Sequence, residues 1–224
     1  MSEARSAAAE GLARPARIAI ALLWVTIVYN VVEAVVAVSA GIVAGSVSLT
    51  GFGFDSAIEV ASATIVLHRL RAEIRHGDVD EVKERRALKA VAVTFFALAL
   101  YLVVEGIRDL VTGAEPETSV VGIVLTALSV LIMPTLARYK RVNGERLGNS
   151  LVIADAAETK LCSWLSVSTL TSLVLFAIVG WTWLDPVAGF VIAYFAIREG
   201  REAWEGDLDE DNEHDDDRGD DDDD

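Results

Sequence analysis

Six long apolar stretches, parted by short polar connections, set the pattern of the chain; they run approximately over residues 18–40, 46–68, 89–112, 119–137, 152–180 and 184–204. Each has the roughly 20 residues that an α-helix needs to cross about 30 Å of hydrocarbon. Backbone polar groups in lipid must be satisfied within their own segment, so helices are the form expected. Runs such as Ala90 to Val104 are too long and too continuous for buried strands. The alternating charged face of a soluble helical bundle is missing. The pattern predicts an all-α, polytopic membrane protein with six transmembrane helices.

Basic residues orient these spans, because short cytoplasmic connections are enriched in Lys and Arg. Every Lys and Arg except Arg108 and Lys160 precedes the first stretch, lies between the second and third or the fourth and fifth, or sits at the end of the sixth. An even number of spans puts both termini on that side, so the N- and C-termini are expected in the cytoplasm. The opposite connections, Gly41 to Gly45, Gly113 to Thr118 and Gly180 to Pro186, are short and free of basic residues. Trp181 and Trp183 fall where an interfacial aromatic pair belongs.

Composition agrees, with 53% hydrophobic residues and a mean hydropathy of +0.41. The net charge of −15 changes the picture only at one end, since most of it sits beyond residue 205. The expected organisation is a cytoplasmic N-terminal segment (1–17), a six-helix transmembrane domain (18–204) and a disordered acidic tail (205–224). The body is nearly neutral, and no nucleic-acid partner is expected. Cys162 is the one cysteine, which excludes an internal disulfide and a cysteine-rich zinc module. Residues 1–17 hold no short apolar core ending in a cleavage site, so no cleaved signal peptide is expected.

Acids inside apolar helices need a reason, because an ionised carboxylate near the bilayer centre costs roughly 2.5–3.5 kcal/mol on insertion scales. The second stretch carries Asp55 and Glu59 and the fifth carries Glu158 and Cys162, each pair at i, i+4 and so on one helix face. Together they form a four-group set of oxygen and sulfur donors that suits a tetrahedral divalent ion such as Zn2+. The thiol adds a softness that magnesium or calcium would not favour. Gly45, Ser46, Ser48, Thr50, Gly51 and Gly53 let a neighbouring helix or a polar passage come close.

Other readings of the same residues stand beside this one. Asp55 and Glu59 also suit a helix–helix hydrogen bond or a salt bridge to Lys160, and Glu158 a place at the cytoplasmic interface. Cys162 alone is a small hydrophobe. Asn30, Glu33, Asp155 and Lys160 are candidates for positioning or proton-relay roles, with plain packing polarity open for Glu33. Glu105 and Arg108, three apart, suggest an intrahelical ion pair. His68 and His76, with Glu73, Asp78, Asp80 and Glu81, offer a peripheral metal site or, more simply, a solvated loop; the acidic tail with His214 offers a weak cation collector or a solvated run.

The chain resembles the cation diffusion facilitator, or cation efflux, family of six-helix exporters of divalent transition metals. The marks are Asn30, Ala40 to Leu49 reading AGIVAGSVSL, Asp55-Ser-Ala-Ile-Glu59, Ala154-Asp155 leading to Glu158, and Trp183-Leu-Asp-Pro-Val-Ala-Gly189. The resemblance implies that Asp55 and Glu59 match the family's second-helix pair and that Glu158 and Cys162 fall on its His-x-x-x-Asp pair. It implies a homodimeric, proton-coupled, alternating-access exporter of the inner or plasma membrane, with no enzymatic activity and no cofactor beyond the transported ion. Zn2+ leads the candidate ions, with Cd2+, Fe2+ and Mn2+ behind it. Family members usually continue into a folded cytoplasmic domain; about 20 residues follow the sixth stretch here, so a short form is expected. The competing class is a non-transporting membrane protein of the same fold, in metal sensing or assembly.

Overall fold

The computed structural model describes residues 2–76, 81–113 and 117–205, and among them every regular element is a helix. The helices are α1 (Ser2–Ala44), α2 (Val47–His76), α3 (Glu81–Thr112), α4 (Val120–Leu147), α5 (Ser150–Val179) and α6 (Leu184–Glu205). Each apolar stretch becomes one helix, and several run well past the apolar limits. α1 reaches back into the expected N-terminal segment, and α4 carries on through the basic run from Arg138 to Arg146. Among the described residues, three segments are long and apolar enough to cross a bilayer: Arg14–Ala44, Val120–Leu147 and Leu151–Val179. α2, α3 and α6 have 30, 32 and 22 residues, with more charge along them.

Local signals end the helices where the sequence offers them. Ser119 caps α4 by accepting from the Gly122 N–H at 3.0 Å, and Asn149 caps α5 by accepting from Val152 at 3.1 Å. Between those two helices Gly148 takes φ +60°, a left-handed conformation natural to glycine, and the chain reverses in a tight turn.

Packing pairs α1 with α2, α4 with α5 and α3 with α6, and α2 also touches α3, α5 and α6. Gly41 is what lets α1 and α2 close up, since a Cβ there would lie 2.6 Å from the backbone nitrogen of Thr50. The exposed faces are apolar, with Val31, Val32 and Val35 on α1, Leu131 on α4 and Tyr194 on α6 all uncovered. The interior, by contrast, buries Asn30, Glu33, Asp55, Glu59, Lys140, Asp155 and Asp185. Apolar surface of this extent around a polar interior is the distribution of a multi-pass membrane protein.

The short ends of α2 and α6 are joined by one residue. Asp185 of α6 accepts from the hydroxyls of Ser46 (2.6 Å) and Ser48 (2.5 Å) and from the backbone N–H groups of Val47 (2.7 Å) and Ser48 (3.3 Å). A carboxylate from one helix thus satisfies the orphan donors at the start of another and meets its positive dipole end.

Candidate metal-ion site

α2 and α5 converge on a cavity of about 10 Å³, room for a single water-sized occupant. Asp55 and Glu59 line it from α2, and Glu158 and Cys162 line it from α5. The i, i+4 spacing does what helix geometry requires, setting each pair on the face that meets the other helix. Phe95 of α3, Leu161 and Leu165 of α5 and Phe195 of α6 supply apolar wall. Asp55, Glu59 and Cys162 are buried, and Glu158 is half-buried.

Hydrogen bonds hold two of the acids across the helix pair. Thr159 of α5 donates to Glu59 Oε1 at 2.8 Å, and Ser62 of α2 donates to Glu158 Oε2 at 2.6 Å. The other oxygen of Glu59, Oε2, is buried without a hydrogen-bond partner. Among the described residues, no group of three or more His, Cys, Asp or Glu is arranged to hold a metal ion. The four side chains face one cavity, but a bound ion requires them to draw closer together.

Asp155 pairs with Lys140 of α4, at 2.7 Å, with both side chains fully buried. Lys160, expected near the site, is exposed on α5, because one residue beyond Thr159 the helix has turned that side chain away from the bundle. Lys140 also donates to Thr159 at 2.8 Å, so a chain of contacts runs from the ammonium through the threonine hydroxyl to Glu59. Glu33 of α1 accepts from Ser56 of α2 at 2.8 Å and from Ser129 of α4, which Tyr29 contacts at 2.8 Å. It therefore ties three helices together next to Asp55. Asn30 is fully buried with neither side-chain amide atom hydrogen-bonded.

Sequence reasoning missed Lys140 and Glu199, besides the hydroxyl donors Ser62 and Thr159. Lys140 reads as part of a cytoplasmic basic connection, and only the fold shows that α4 carries it inside. Glu199 of α6 also lines the cavity; in the sequence it is hidden within the charged run Arg198 to Glu202. Outside the site, Arg108 pairs with Glu105 at 2.9 Å as their spacing suggests, and Trp181 and Trp183 stack at 5.9 Å. His68 is exposed. The acidic tail beyond residue 205 and the loop residues Asp78 and Asp80 lie outside the described residues, as do the side chains of Glu73, His76 and Glu81.

Comparison with known proteins bears on the whole bundle. Residues 87–206 match the cation efflux transmembrane domain, a stretch that holds Lys140, Glu158, Cys162 and Glu199. The chain is 24% identical over 178 residues to the cadmium, cobalt and zinc/H(+)-K(+) antiporter of Bacillus velezensis, covering 77% of this chain and 55% of that protein. It is 28% identical over 174 residues to the cation-efflux pump FieF of Citrobacter koseri, covering 74% and 58%. Transmembrane protein 163 of Xenopus laevis is 25% identical over 179 residues, covering 79% and 63%. The chain thus spans a little over half the length of the first two relatives. A family match across more than half of the sequence, on a helical bundle with acids buried inside it, makes this chain a member of the cation efflux family.

Proposed function

We propose that the chain carries a divalent transition-metal cation out of the cytoplasm across the inner or plasma membrane, with all six helices spanning and both termini inside. The observation that carries the reading is the small cavity that Asp55, Glu59, Glu158 and Cys162 share between α2 and α5. An ion held by all four side chains has exchanged its hydration water for them. Three carboxylates crowded beside a thiol in an apolar wall repel one another when ionised, and either a divalent cation or protons relieve that repulsion. Competition between the two is the chemistry of an antiporter. Rocking of the helix bundle about the cavity then exposes the ion to alternate sides.

Oxygen and sulfur donors favour Zn2+, with Cd2+, Fe2+ and Mn2+ as competitors. The antiporter of Bacillus velezensis, by its name, handles cadmium, cobalt and zinc against protons and potassium, which supports both the ion class and the coupling. A homodimer is the assembly that family membership suggests.

Metal uptake into vesicles holding the full chain tests the reading. Loss of zinc flux in Asp55→Asn and in Glu158→Gln is expected, whereas flux at the unsubstituted level in both removes these residues from the site. Stoichiometric zinc binding without any flux favours a sensing or assembly role.

A further inference from the structure

We propose that Glu199 is an additional ligand for the transported cation, so that the ion is gripped by α6 as well as by α2 and α5. The inference rests on reading the cavity as an ion site and adds to that site a carboxylate outside the four-group set.

Glu199 lies in a run of charges at the end of α6, where an exposed surface acid would be unremarkable. Its surroundings are not those of a surface acid. It lines the same cavity as Asp55, Glu59, Glu158 and Cys162. Its Oε1 is buried and accepts no hydrogen bond. The adjacent Arg198 does not neutralise it, because the Arg198 guanidinium turns outward to Glu202, with Nε 2.8 Å from that carboxylate. A second buried oxygen in the same cavity, Oε2 of the 2%-exposed Glu59, is likewise without a hydrogen-bond partner. Two unpartnered carboxylate oxygens, one from α2 and one from α6, thus belong to residues lining a space the size of one ion. Leaving a buried acceptor unsatisfied is unfavourable, and more so if it is charged. A cation between them satisfies both at once.

The packing of α6 gives the residue a route to the ion. Beside Glu199, Gly200 allows α6 to lie close against α3: a Cβ there would meet Phe96 at 3.0 Å and Phe95 at 3.1 Å. α3 and α6 therefore form one packed pair, and α6 also packs against α2 and α5, which holds Glu199 at the cavity wall.

The added carboxylate has a consequence for ion choice. Four donors suit tetrahedral zinc, whereas a further oxygen ligand raises the coordination number toward what manganese prefers. Glu199 thereby broadens the site from zinc toward harder, higher-coordinate ions.

The test is equilibrium binding of zinc chloride and manganese chloride to the purified full chain in detergent, for unsubstituted protein, Glu199→Gln, Glu199→Asp, Glu202→Gln and Asp55→Asn. Glutamine keeps the size of the side chain, and Glu202 serves as a neighbouring acid turned to Arg198. Glu199→Gln is expected to weaken manganese binding about tenfold, in keeping with how ligand charge tunes cation affinity, and zinc binding less. Glu199→Asp should fall between, and Glu202→Gln should match the unsubstituted protein. Unchanged affinities in Glu199→Gln, with binding lost in Asp55→Asn, overturn the role of Glu199 and leave the ion site standing. Equal losses in Glu199→Gln and Glu202→Gln overturn it too, by showing a general effect of surface charge. Unsubstituted-level binding in Asp55→Asn overturns the ion site and this inference together.

Discussion

Asp185 and Glu59 are both buried carboxylates, both 2% exposed, and both contact a neighbouring helix, yet their surroundings differ in kind. Asp185 receives two hydroxyls and two backbone N–H groups, so every donor around it is used and the start of α2 is locked to α6. Glu59 receives one hydroxyl on Oε1 and leaves Oε2 bare beside a cavity. A buried acid that is fully paired stabilises the fold. One left half-paired among other acids holds its place at a cost, which a bound cation would lower.

Substitutions at the two kinds of acid should therefore separate ion binding from stability. The largest effect falls on the cavity: Asp55→Asn combined with Glu158→Gln should lower zinc flux in vesicles by more than about 100-fold, since losing even an outer partner of a metal ligand costs about 10–100-fold. The folded state should survive, because relieving repulsion among acids does not weaken packing. Unfolding of the double variant in the same detergent would break the contrast.

Lys140 lies between the two cases, as a buried charge that serves the structure and touches the site. Lys140→Met leaves Asp155 without its ammonium, and breaking a buried pair in this way costs about 3–5 kcal/mol. Adding Asp155→Asn should restore most of that stability in thermal denaturation; a double variant no more stable than Lys140→Met would show that the pair is not what matters.

At Asp185 the order reverses. Asp185→Ala removes the acceptor for four donors and should cost about 1–3 kcal/mol for each buried donor left unsatisfied, while zinc affinity stays as it was. A change in affinity larger than the change in stability would mean that this lock also reaches the cavity. The smallest effect is expected at Cys162, where Cys162→Ser exchanges a soft donor for a hard one. Cadmium should lose ground relative to manganese in competition binding, with total capacity kept; identical profiles would take the sulfur out of the ion's reach.

Much of the bundle is legible in the sequence, for identifiable reasons. Apolar runs too long for strands become helices, and an i, i+4 spacing can only place Asp55 with Glu59 and Glu158 with Cys162 on common faces. What the sequence hides are residues whose meaning depends on a partner helix. Lys140 stands three and four residues from Asn143 and Gly144, in a stretch that looks like a basic connection until α4 is seen to run through to Leu147. Lys160 carries the opposite lesson: it is closer in sequence to Glu158, yet its helical phase turns it outward. Glu199 is masked by Arg198 and Glu202, whose mutual pairing on the exposed side is a tertiary fact. The serine and threonine donors at Ser62 and Thr159 are equally silent, because a hydroxyl on an apolar helix more often bonds its own backbone, as Thr64 does with Val60.

The most direct measurement is an anomalous-scattering map of the full chain with zinc soaked into crystals. The expected result is one zinc peak between α2 and α5, about 2.0–2.3 Å from oxygen and sulfur atoms of Asp55, Glu59, Glu158 and Cys162. A cavity without zinc while the metal binds elsewhere, for instance at the exposed His68, would contradict the assignment of these four residues to the ion.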